Sequence, residues 1–166
     1  MRPEENLNRL GITLPPPPVP GGKYLPYRRV GNLVYLAGVI SVNSEAGEWT
    51  GQVGNERNLE EGMQAARVCA LNALAVLRSV TGSLDDLKQL ITVNGYVNAV
   101  SAYGQSPSVV NGASELLIDV LGEAGEHARA AVSVAGLPKN ATVEIQVVAE
   151  FYGKMEPAVG FEPTTC

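Results

Sequence analysis

Two side chains in the stretch HARAAVSVAGLPKNATVEIQVVAEF, His127 to Phe151, have the type and setting to do chemistry. Arg129 opens one apolar run and Glu144 sits inside the next. A guanidinium on an apolar strand must either escape to water or meet an anion. Its planar fork matches a carboxylate bidentately, and its neighbours along the same side, Ala131, Ser133 and Ala135, leave room for one. A surface or interface salt bridge accounts for Arg129 equally well. Glu144 alternates with Val143 and Ile145 and so falls on the more polar side with Thr142 and Gln146. There it either belongs to a site or stands solvated at an edge. Symmetric pairing of the two strands about Pro138 sets residue 129 opposite 147 and leaves Glu144 on the other side. A one-residue shift or a bulge reverses this, so pattern leaves the register open.

Other reactive types carry less. His127, the single histidine, lies at a loop–strand junction with no serine or cysteine nucleophile motif nearby, and reads as structural or solvent-facing. Cys69 lies mid-helix among apolar residues and reads as inert core. One histidine and two distant cysteines, Cys69 and Cys166, offer no metal-ligand spacing and no expected disulfide. The glycines of GNLVYLAG and GQVGN lack phosphate-loop spacing.

The elements that must position Arg129 and Glu144 are legible in outline. KYLPYRRV reads as an edge strand interrupted by Pro26, and LVYLAGVIS (33–41) as a continuous strand buried on both faces. Asn58 with Glu61 three residues on forms a capping box for a helix running to about Val80, closed by Gly82. Its stripe is Leu59, Met63, Ala66, Ala70, Leu74 and Leu77. LITVNGYVNAV places Ile91, Val93, Gly95 and Val97 on one side of a half-buried strand. A second helix, capped at Ser108, turns Val109, Ala113, Leu116, Leu117 and Val120 inward. The order β-β-α-β-α-β-β predicts an α+β fold with both helices on one face of a single mixed sheet. The bare face holds Val, Ala, Leu and Tyr, which points to a subunit interface.

Residues 1–22, whose stretch Pro15 to Pro20 is proline-rich, read as an arm lying over the domain or over a neighbour; 23–151 form the domain, and 152–166 a loosely held tail. The chain is 45% hydrophobic and 17% charged over 166 residues, a globular composition with no apolar run long enough for a membrane span. The N-terminus lacks the apolar core of a secretory signal, so a cytoplasmic location is expected. A net charge of −5 argues against a nucleic-acid partner, for which Tyr27 to Arg29 is a thin basic patch.

ARAAVSVAGLPKNATVEIQVVA closely resembles the C-terminal signature of the RidA family, also called the YjgF or endoribonuclease L-PSP family. GNLVYLAGVIS is similar to its second strand, ALNALAVLRSVTGSLDDL to its first helix and the turn after it, and VVNGASELL to its second helix. The resemblance spans roughly Lys23 to Phe151. It implies a chorismate-mutase-like fold in a homotrimer, with the bare sheet faces packed into a central barrel and clefts between subunits. It also implies that Arg129 binds a substrate carboxylate, that Glu144 orients or activates water in the same cleft, and that Tyr24 and Asn111 shape or close it. Ala37-Gly38-Val39 stands where enamine-active members usually carry Ser-Gly-Gln, so Ala37 and Gly38 line the pocket without its hydroxyl. The implied chemistry is hydrolysis of reactive enamines and imines to 2-oxo acids and ammonia, with no metal or organic cofactor. A non-catalytic trimer binding small carboxylates is the alternative, and endoribonuclease activity a weaker third. Ala130-Ala131 after the arginine, the helix around Asn111 without its usual aromatics, and the proline arm mark a divergent member.

Overall fold

The computed structural model describes residues 1–153, so most of the expected tail lies outside the described residues. The chain forms α1 (Pro3–Arg9), β1 (Tyr27–Val30), β2 (Leu33–Leu36), β3 (Val39–Ile40), α2 (Leu59–Thr81), β4 (Leu87–Asn98), α3 (Ser106–Leu121), β5 (Ala128–Val134) and β6 (Val143–Phe151). One mixed sheet runs β1-β2-β6-β4-β5, with β3 also paired to β6, and α2 and α3 cover one face of it. The α+β architecture is the one expected.

The α2 capping box forms as read: Asn58 Oδ1 accepts from the Glu61 amide at 2.9 Å, and Glu61 accepts from the Asn58 amide at 2.9 Å. Ala65, Ala66, Cys69, Ala70 and Ala73 are fully buried, and their small size lets α2 ride close to the sheet. Cys69 is the inert core residue expected; its thiol donates to the Val143 carbonyl, and burial raises its pKa well above the ordinary value. All five residues assigned to the inner side of α3 are buried. The helix starts two residues before the expected cap, because Pro107 occupies the first turn, where its missing N–H costs nothing.

Four features depart from the sequence reading. Residues Pro3–Arg9 are helical, with proline at the start and Glu4 and Glu5 in the first turn. Asn6 Nδ2 donates to the Val120 carbonyl at 2.9 Å, Glu4 accepts from Arg78 and from the Leu84 amide, and Leu7 joins the core. In β4, the register shift between Leu90 and Thr92 turns Leu90 inward and leaves Ile91 half-exposed. The LVYLAGVIS strand is split, with one residue more between Tyr35 and Val39 than between the facing Val148 and Ile145. It is buried on one side only, Tyr35 being 45% exposed.

The fourth departure matters most for function. β5 and β6 do not pair with each other as strands about a turn. β5 runs parallel to β4, with Val93 opposite Arg129, and β6 lies antiparallel on the other side of β4, with Val93 opposite Val147 and Tyr96 opposite Glu144. The α3 crossover makes this possible: parallel neighbours need a long crossover connection, and α3 supplies it between β4 and β5. Residues 135–142 then carry the chain past the end of β4 to its other edge.

Candidate functional site

Directly paired residues on neighbouring strands point to the same face. Arg129 pairs with Val93, which is buried beneath the helices, so Arg129 emerges on the helix-covered face at the sheet's β5 edge. Glu144 pairs with Tyr96 and lies on the open face. Two strand spacings and a three-residue offset separate their backbones by roughly 14 Å. The shared cleft expected for this pair is therefore not formed within one chain. Tyr24, Ala37, Gly38 and Glu144 line one cavity, whereas Arg129 and Asn111 make a second cluster.

In the first cluster, the extra residue between β2 and β3 lifts the backbone at Ala37-Gly38 beside Glu144, a common use of a bulge next to a site. Glycine at 38 leaves Glu144 its place: a Cβ there would stand 2.0 Å from Glu144 Oε1. The cavity beyond measures about 700 Å³, and its far wall is the proline arm, Pro16 to Gly21. Its floor includes Ile40, Val42, Val76 and Asn72, the last held by Ser44 Oγ and by the Ile40 carbonyl. Tyr24 is 53% exposed at the mouth, and its hydroxyl accepts from the Gly21 amide at 3.2 Å. A second depression of about 720 Å³ opens on the other side of Glu144 toward Tyr27, Arg28 and Tyr35. Burial raises the Glu144 pKa above the ordinary carboxylate value. None of the hydrogen bonds among the described residues reaches its carboxylate, so nothing there offsets that burial.

In the second cluster Arg129 leans against α3. Its Nη1 donates to Asn111 Oδ1 at 2.8 Å and to Ser114 Oγ at 3.1 Å, and its Nη2 donates to the Pro107 carbonyl at 3.1 Å. Pro107, Asn111 and Ser114 follow one another at helical spacing and form one stripe. A guanidinium carries five N–H groups. Among the described residues no acceptor meets the Nε–H or the second N–H of Nη2, and the side chain is exposed. Asn111 thus acts on Arg129 as one of its holders.

Ser114, His127 and the arm at Pro16–Gly21 were not singled out as site residues. Ser114 could have been found by its three-residue spacing from Asn111. His127 is half-buried; its Nδ1 lies 2.6 Å from the Gly125 carbonyl and its Nε2 3.0 Å from Ser114 Oγ. Burial first, and then the Arg129 cation, lower its pKa against the opposing effect of the Gly125 bond. Among the described residues no group of histidine, cysteine and carboxylate side chains could hold a metal ion.

The profile described as "YjgF/chorismate_mutase-like, putative endoribonuclease" matches residues 4–151. The chain belongs to this family. The chain is 39% identical over 146 residues to Protein TCP17 of Trypanosoma cruzi, covering 87% of this chain and 91% of that one. It is 30% identical over 138 residues to a 2-iminobutanoate/2-iminopropanoate deaminase of Dermatophagoides farinae, covering 82% and 92%. The crystal structure of Atu1372, a protein of unknown function from Agrobacterium tumefaciens, superposes with a TM-score of 0.81 at 39% identity, covering 90% and 94%. RidA from an Antarctic Psychrobacter superposes with a TM-score of 0.57 at 28% identity, covering 81% and 93%. The match from residue 4 includes α1 and the proline arm within the family region.

Proposed function

We propose that this chain hydrolyses reactive 2-imino and enamine acids to 2-oxo acids and ammonia, in sites built where the Arg129 cluster of one copy meets the Glu144 cleft of another in a homotrimer. The observation that carries the reading is Arg129: three of its N–H groups hold it to α3 and two are left for an anion. The topology adds support, since two clusters on opposite faces can cooperate only across copies, and the open sheet face carries Tyr35 and Val132, 45% and 47% exposed.

The chemistry asks little of the protein. In a 2-imino acid, C2 is already electrophilic, and holding its carboxylate beside a placed water supplies most of what is needed. Glu144 takes a proton from that water as its oxygen bonds to C2, and returns a proton to the nitrogen. Glu144 then takes the proton from the carbinolamine hydroxyl and passes it to the amino nitrogen as the C=O forms and the C–N bond breaks, which releases ammonia and the 2-oxo acid. A carboxylate whose pKa is raised by burial suits both transfers near neutral pH. The relative from Dermatophagoides farinae that bears a deaminase name supports the assignment.

A second reading, a carboxylate-binding trimer without turnover, is favoured by Ala37, whose side chain brings no hydroxyl to the cleft beside Glu144. A coupled assay separates the two. An amino-acid oxidase generates 2-imino acids in situ, and their loss is followed with wild type or Arg129→Ala. Deamination predicts acceleration by wild type that Arg129→Ala abolishes. No acceleration across small, branched and aromatic imino acids by a folded oligomer would leave only the binding reading.

A further inference from the structure

We propose that Ser114 and His127 are positioning residues for Arg129, joined to it in one directional chain of hydrogen bonds that ends on the Gly125 carbonyl. The proposal rests on the reading of Arg129 as a carboxylate clamp. Direction follows from what each group can do. A guanidinium only donates and a carbonyl only accepts. Arg129 Nη1–H therefore donates to Ser114 Oγ at 3.1 Å, and His127 Nδ1–H donates to the Gly125 carbonyl at 2.6 Å. With Nδ1 carrying the proton, Nε2 of the neutral ring is an acceptor. The Ser114 hydroxyl, 3.0 Å away, donates to it. Every group in the chain has one role, and the Ser114 lone pair that Arg129 uses is fixed by where the hydroxyl proton must go.

The terminus of the chain is equally fixed. Gly125 packs so tightly against the end of α3 that a Cβ on it would lie 2.5 Å from the Leu117 carbonyl oxygen. Its own carbonyl is thereby held in place at the corner leading into β5. The guanidinium is thus gripped from two sides of the stripe, by Asn111 and by the Ser114–His127 pair, with the Pro107 carbonyl on its other nitrogen. A serine in a helix commonly turns its hydroxyl back to its own helix's carbonyls. Here its partners are instead a histidine and an arginine from outside the helix. Removing the hydroxyl leaves Arg129 held only by Asn111 and the Pro107 carbonyl, and leaves His127 Nε2 without its donor.

The test has two arms. His127 is the single histidine, so its ring nitrogens give an unambiguous 15N NMR spectrum. The expected form is the neutral Nδ1–H tautomer, with the Nε2 resonance moved by Ser114→Ala. A neutral Nε2–H tautomer would overturn the proposal whatever the protein's function. The second arm is calorimetric binding of 2-oxobutanoate, a 2-oxo acid product whose binding needs no turnover. Ser114→Ala should weaken it about three- to tenfold, the effect of one hydrogen bond, and raise KM with kcat within about twofold. Tm should fall only slightly, because alanine's better helix propensity offsets part of the cost of leaving His127 Nε2 without its donor, and Ser114→Thr should restore binding. His127→Phe should weaken binding similarly in wild type and add nothing in the Ser114→Ala background. Unchanged affinity in Ser114→Ala, or additive losses, would overturn the proposal. The Nδ1–H tautomer in a wild type that neither binds 2-oxobutanoate nor consumes imino acids would sink the deaminase reading alone. The chain would then stand as the holder of Arg129 for another anion.

Discussion

Gly38→Ala separates the Glu144 carboxylate's chemistry from the stability of the fold. The added Cβ would lie 2.0 Å from Glu144 Oε1, 3.0 Å from its Cδ and 3.3 Å from its Cγ, with no other atom among the three nearest. Reaching an ordinary carbon–oxygen contact of about 3.3 Å moves the oxygen by roughly 1.3 Å. The fold pays little for this, because the clash falls on the far end of a flexible side chain and not on backbone. Gly38 also lies outside the left-handed region, so alanine brings no φ strain. Restricting the unfolded chain offsets part of any remaining cost, by about 0.4–1 kcal/mol. Stability should therefore change by less than about 1 kcal/mol, while a misplacement of about 1 Å at a reacting group costs on the order of 100-fold in rate. Thermal denaturation and kcat/KM on an in-situ imino acid measure the two quantities side by side. Full activity in a well-folded Gly38→Ala protein would show that Glu144 does no work where it stands. A loss of several kcal/mol would make Gly38 a structural residue instead.

Glu144→Gln should abolish turnover yet leave Tm at pH 7 unchanged or higher. Burial raises the folded pKa of Glu144, so its ionised form disfavours the folded state; this cost is absent below the unfolded pKa and grows as pH rises through the folded one. The Tm gap between variant and wild type should accordingly close in acid, near pH 4, which a pair of melting series checks. Arg129→Lys keeps the charge but cannot reproduce bonds to Asn111, Ser114 and the Pro107 carbonyl together, and should raise KM by about 10- to 100-fold. Asn6→Ala leaves the buried Val120 carbonyl without its donor, and should cost about 1–3 kcal/mol in denaturant unfolding.

Local chemistry made α2, α3 and β6 legible. A capping box, a 3.6-residue stripe and a two-residue alternation are each written within one segment, and each forms where its residues place it. The placement of β5 was not legible that way. AGLPKN reads as a turn joining two neighbours, but what seats β5 is the α3 crossover that precedes it, and the sheet order puts β4 between β5 and β6. The question of whether Arg129 and Glu144 share a face was therefore posed for a pairing that does not exist. α1 was missed because a seven-residue helix with one buried leucine has no stripe to recognise, and its order comes from contacts with Val120, Arg78 and Leu84. Within the candidate site, residue types pointed to Arg129 and Glu144, whereas Asn111 and Gly38 came only from the family resemblance. The Ser114–His127 pair required knowing which face of α3 meets the arginine.

The central claim is that a site needs Arg129 from one copy and Glu144 from another. Arg129→Ala and Glu144→Gln, each inactive alone, can be unfolded together and refolded as mixed oligomers. Random assortment gives each site the intact arginine half the time and the intact glutamate half the time, so the mixture should regain about a quarter of the wild-type rate. A mixture as inactive as its parents, with mixed oligomers confirmed by mass, would contradict the shared site.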